Sequence, residues 1–139
     1  MFMDCIYITE IDFSEFDATN LDNMESMFQN CSSLTSLDLS NFDTSKVTMM
    51  NNLFAGCSAL TSLDLSNFDT SEVTFINNLF DGCINLQYIN MKNFSERKVL
   101  STDKDNIFRG VPDNIVVCIN KEINQNIIIP QLKTKKYNK

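Results

Sequence analysis

Leu34, Leu37, Leu39 and Phe42 are followed along the chain by Val47, Met50, Leu53 and Phe54, and the two groups keep different spacings. Leu37 and Leu39 alternate with Ser36, Asp38 and Ser40, the pattern of a half-buried strand. Val47, Met50, Leu53 and Phe54 stand at i, i+3, i+6 and i+7, which predicts one face of a short helix. Asp22, Thr48 and Thr74 occupy the N-cap position of that helix in successive copies, and Asp22 with Glu25 reads as a capping box. Asn30, Gly56 and Gly82 follow its other end, and these residue types most readily take the left-handed backbone that closes a helix.

The alternation between the two patterns is itself periodic. Residues 31–56 and 57–82 differ at only five of 26 positions, so the second is nearly a copy of the first. The period extends outward: Cys5, Cys31, Cys57 and Cys83 fall 26 apart, as do Phe16, Phe42, Phe68 and Phe94. Such a period marks a solenoid, propeller or array, in which a unit too small to bury its own apolar face stacks on its neighbours. Turns starting near 5, 31, 57 and 83 are expected over residues 1–110, with ladders of Cys5, Cys31, Cys57, Cys83, Leu37, Leu63, Phe42, Phe68, Phe54 and Phe80 in the core. The chain starts in mid-repeat and reads as a segment of a longer array. Phe108 and Gly110 come two positions later than the period would place them after Phe80 and Gly82, which marks an insertion in the last copy. A turn at Pro112-Asp113-Asn114, a strand at 115–119 and the Ile127–Ile129 run predict a C-terminal strand and cap over 111–130. A basic, frayed tail is expected at 131–139.

Composition narrows the chemistry. The 139 residues contain no His, which removes the commonest general base, the usual zinc ligand and the His-activated nucleophiles together. With no Gly-rich phosphate loop either, no enzymatic activity is expected. The net charge of −7 is unevenly divided, −11 over residues 1–95 and +4 over 96–139. An acidic body argues against nucleic acid as a partner. No apolar run approaches a membrane span, and Asp4 interrupts the opening MFMDC, so no secretory signal is read there. The repeated cysteines read as small core hydrophobes; in-register disulfides between like-pointing side chains have poor geometry, and nothing has zinc spacing.

Three rows of polar residues face away from the predicted core on the strand. Asp12, Asp38 and Asp64, ending in Asn90, form the central row. Ser36, Ser62 and Tyr88 lie on one side of it, continued by Glu10, and Ser40 and Ser66 on the other. Stacked like charges repel, so this strip is the candidate partner-binding face, suited to a basic protein segment. No cofactor is expected, although the same hard oxygens fit weak Ca²⁺ coordination. A solvated sheet face of no further use would have the same composition. Asp17, Asp43 and Asp69 form a second row at the bend after Phe, where a local role in bonding the backbone two residues on is expected.

The LxxLxLxxF pattern from Leu34 to Phe42, continued by FDTSKVTMMNNLFAGC, resembles the 26-residue repeat of BspA-like leucine-rich repeat surface proteins of bacteria. The resemblance covers roughly residues 1–110. It implies an α/β fold: a right-handed solenoid of leucine-rich-repeat type, with a parallel sheet on one face and short helices on the other. It also implies part of a secreted or cell-surface adhesion protein, with a host, matrix or other cell-surface protein as partner. Phe42 and Phe68 stand where ordinary leucine-rich repeats carry Asn or Cys, so the usual Asn ladder is missing. An intracellular, cytoplasmic scaffold or effector is the alternative if Met1 is the native start. The oligomeric state is left open by the sequence.

Overall fold

The computed structural model describes residues 1–100, 106–120, 122 and 126–132, together with the backbone of 137–138. Most of the basic tail expected at 131–139 therefore lies outside the described residues. Four short strands, β1 (Ser62–Asp64), β2 (Tyr88–Met91), β3 (Val116–Ile119) and β4 (Tyr137–Asn138), form one parallel sheet in chain order. Leu63 pairs with Ile89, one period on, and Ile89 pairs with Val117, two positions beyond a period. The insertion is thus absorbed between β2 and β3 without disturbing the register.

The opposite side of each copy is not helical. Among the described residues the only α-helix is α1 (Ile128–Gln131). Where the spacing predicts a helix from Val47 to Phe54, the amides of Met50, Asn52, Phe54 and Gly56 donate to the carbonyls of Phe75, Asn77, Leu79 and Asp81 in the next copy, at 2.7–3.0 Å. The alternate amides of Leu53, Ala55 and Cys57 close tight turns on the carbonyls three residues before them. Half of the backbone donors are therefore spent between copies, and an i→i−4 ladder cannot form. Ser26, Asn52 and Asn78 add a left-handed residue in mid-segment, with φ of 55–56°, which interrupts α-helical winding.

The expected caps join copies instead. The amide of Thr48 donates to the carbonyl of Asp22 and that of Thr74 to the carbonyl of Thr48, both at 2.9 Å, and each Thr hydroxyl donates to the same carbonyl. The Asp22–Glu25 box is replaced by the Glu25 amide donating to Asn23 Oδ1 at 2.7 Å. The positions after these segments do take the left-handed conformation: φ is 59° at Asn30, 75° at Gly56 and 74° at Gly82. There it closes a turn rather than a helix. At Gly56 a Cβ would also collide with the side chain of Asn30, directly below.

The core runs between the two sides. Phe2, Phe28, Phe54, Phe80 and Phe108 stand in a column with successive ring centroids 5.5–5.8 Å apart. Phe42 is stacked on Phe16 at 5.2 Å, while Phe13 meets Phe42 edge-on at 4.9 Å. Phe68, Leu63, Cys31, Cys57 and Cys83 are all buried. Each of those three thiols donates to a carbonyl of the preceding copy, those of Phe2, Phe28 and Phe54, at 3.0–3.1 Å. Two expected core positions are only half-buried. Cys5 has no copy packed against its outer side among the described residues, and Leu37 lies in a stretch, 36–38, with no described backbone hydrogen bond to the next copy.

A further buried row, Ala18, Thr44, Thr70 and Glu96, was not singled out in the sequence. Thr44 and Thr70 donate their hydroxyls to the carbonyls of Asp69 and Ser95, both at 3.0 Å. Glu96 instead accepts from the amides of Asn126, Ile127 and Ile128, fixing the segment that carries α1. Ile127, Ile128 and Leu132 of that segment are buried against the core. The signal was present: the third copy reads FDTS where the fourth reads FSER, with Glu in the Thr position.

Candidate functional site

The polar rows lie on the outer face of the sheet side. Asp12, Ser36, Asp38, Ser40, Ser62, Asp64 and Tyr88 are exposed, and Ser66 and Asn90 are half-buried. Glu10, Asp12, Ser36, Asp38, Ser62 and Asp64 line a groove of about 690 Å³, whose floor is made by half-buried Ile11 and Leu37. Ser40 and Ser66 border a smaller adjoining hollow of about 240 Å³ with Asp38, Asp64 and Asn67. Tyr88 and Asn90 are not part of either. They sit on β2, where the Tyr88 hydroxyl is 3.6 Å from the thiol of Cys118.

The groove coincides with a gap in backbone pairing. Residues 36–38 and 62–64 are both Ser-Leu-Asp, yet no backbone hydrogen bond joins them among the described residues. Between the first and second copies the sheet side keeps one backbone bond, from the Thr35 amide to the Thr9 carbonyl at 3.0 Å. The second and third copies are instead tied there by a side chain, Asn67 Nδ2 donating to the carbonyls of Leu39 at 2.9 Å and Ser40 at 3.3 Å, so the gap is confined to the backbone of residues 36–38.

Each carboxylate of the central row also has a local task. Asp12, Asp38 and Asp64 accept from the amides of Ser14, Ser40 and Ser66 at 2.8–2.9 Å, and Asn90 does the same for Lys92 at 3.3 Å. These bonds bend the chain out of the strand. They hold the carboxyls of Asp12 and Asp38 below the usual range, chiefly through the backbone amide; at Asp64 the Ser66 side chain contributes most. Asp17, Asp43 and Asp69 make the equivalent bonds to Thr19, Ser45 and Ser71, at 2.9–3.0 Å. Both rows thus bond the amide two residues on, and Asp17 and Asp43 accept from the hydroxyls of Thr19 and Ser45 as well, both at 2.6 Å. They differ in place, since only the first borders a groove.

The described ion pairs lie elsewhere: Lys98 with Glu72 at 2.6 Å, and Arg109 with Asp81. Among the described residues no basic side chain lines the groove. Among the described residues no three His, Cys, Asp or Glu side chains are gathered as a metal site, and no helix is long and apolar enough to cross a membrane. Burial pushes the Cys57 thiol up and that of Cys83 up to about 12, which suits inert core groups. Comparison with curated proteins and with solved structures returns no match. A family profile matches residues 1–115, most of the chain, and it includes the groove and every row described above. The chain belongs to the Mycoplasma protein family of unknown function DUF285.

Proposed function

We propose that this chain is a non-enzymatic protein-interaction module, a stretch of right-handed, leucine-rich-repeat-type solenoid from a secreted or cell-surface adhesion protein. Its partner, a host, matrix or other cell-surface protein, binds across the outer face of the sheet side. The observation that carries this reading is the groove, in which carboxylates of three successive copies converge around an apolar floor with no cation beside them among the described residues. Repetition supports it too: a surface built from equivalent residues of stacked units offers an extended contact. Weak Ca²⁺ binding by the same carboxylates is a secondary reading that nothing in the geometry favours. A screen of the intact chain against an array of purified host, matrix and cell-surface proteins tests the assignment. Binding to a partner that is lost in Asp38→Lys/Asp64→Lys is expected; partners that bind that variant undiminished would remove the sheet face from consideration.

A further inference from the structure

We infer that the groove is occupied by an extended polypeptide segment of the partner that carries Lys or Arg on either side of an aliphatic residue. The inference rests on the proposed sheet-face binding and names the chemistry of its occupant. Carboxylates alone would not identify a ligand, since a solvated face has them as well. Three other features do. The floor is apolar, with Ile11 and Leu37 half-buried, whereas Leu63 and Ile89 in later copies are 2% and 0% exposed. A side chain seated on Ile11 and Leu37 would complete the burial that those later copies already have. The backbone of Leu37 also lacks the ladder partners that Leu63 finds in β2, and an extended chain brings regularly spaced donors and acceptors. Finally, Glu10, Asp12, Asp38 and Asp64 surround the floor without a neutralising cation among the described residues, so charge complementarity selects a cationic occupant.

The sheet side also gives a way to separate charge from structure. Asn90 occupies the same row as Asp64 and accepts the same i+2 amide, so Asn supports this bend without a charge. Asp38→Asn/Asp64→Asn should therefore keep the fold and lose only the attraction.

A fluorescent peptide reading Lys-Thr-Lys-Thr-Leu-Thr-Lys-Thr-Lys, titrated with the intact chain by anisotropy, tests the inference. Binding is expected at about 50 mM salt and should weaken sharply at about 500 mM, where the screening length falls to roughly 4 Å. Replacing every Lys by Glu should abolish it, and replacing Leu by Ser should weaken it several-fold. In the Asp38→Asn/Asp64→Asn variant, with an unchanged melting temperature, affinity should fall roughly fivefold, as for two exposed charge pairs. Equal binding of the Lys and Glu peptides, or full affinity in the Asn variant, would overturn the inference. If a partner found on the array is lost in Asp38→Lys/Asp64→Lys while the Lys peptide does not bind, the sheet-face reading stands and the cationic occupant is wrong.

Discussion

Residues 36–40 and 62–66 have the same sequence, Ser-Leu-Asp-Leu-Ser, and the same flanking Thr and Asn, but they do not have the same structure. The second contains β1, pairs with β2 and buries Leu63; the first forms no strand and leaves Leu37 half-buried. The cause must lie in the neighbours. Ser62–Asp64 faces Tyr88–Met91, which includes an aromatic and a β-branched residue suited to a pleated surface. Ser36–Asp38 lies between Glu10–Asp12 and Ser62–Asp64 along the groove, with the Thr35–Thr9 bond as the one described backbone tie beside it. In a stacked array, strand formation is thus a property of adjacent copies rather than of the segment.

The comparison is most directly broken by truncating the two leucines. Leu63→Ala removes a fully packed side chain and should cost about 2–5 kcal/mol, whereas Leu37→Ala should cost about 1 kcal/mol, since its site is partly open. Urea denaturation of the two variants measures the difference, and equal costs would mean that the sheet side closes over Leu37 in solution. Thiol labelling sharpens the same contrast between covered and uncovered positions. Cys31, Cys57 and Cys83 are buried while Cys5 and Cys118 are half-buried, so two of the five thiols should react quickly with a disulfide reagent and three slowly. Rapid reaction of all five under native conditions would contradict the stacking of the cysteine row.

The smallest effect concerns acid. Asp12, Asp17, Asp38, Asp43, Asp64 and Asp69 all have carboxyls held below the ordinary range by Ser or Thr two residues on. A lowered folded-state pKa adds stability above the unfolded value of about 4, and that stability is lost as pH falls through the folded value. A modest, progressive drop in melting temperature below about pH 4 is expected, with both the groove row and the bend row contributing. A drop caused by only one row, shown by Asn substitution of each in turn, would separate them after all.

Much of this was legible in the sequence because repetition turns spacing into register. The repeat period appears unchanged in the Leu63–Ile89 pairing, and the insertion after Phe80 reappears as the longer step from Ile89 to Val117. Asn30, Gly56 and Gly82 were readable as left-handed positions because few residue types tolerate that backbone. The predicted helix fails for an equally physical reason. Apolar residues at i, i+3 and i+7 report which side chains point inward, and a run of tight turns produces the same order as a helix. What distinguishes them is where the amides go, and the carbonyls of Phe75, Asn77 and Leu79 that receive them belong to the next copy, nearly a full period along the chain. The groove was illegible for a related reason, since no string of residues can differ from its own copy.

Glu96 has a consequence for how one stretch of the chain is joined to the next. In the row that it shares with Thr44 and Thr70, a hydroxyl makes a bond that the next equivalent copy can always receive, so Thr permits continuation. A carboxylate, which only accepts, needs a cluster of free amides, and the segment ahead of α1 supplies three. The row therefore works as a coupling with two fittings, a donor for a repeated neighbour and an acceptor for a different one. Duplication of the unit between residues 31 and 56 would add another Thr fitting to the row and leave the Glu96 one unchanged.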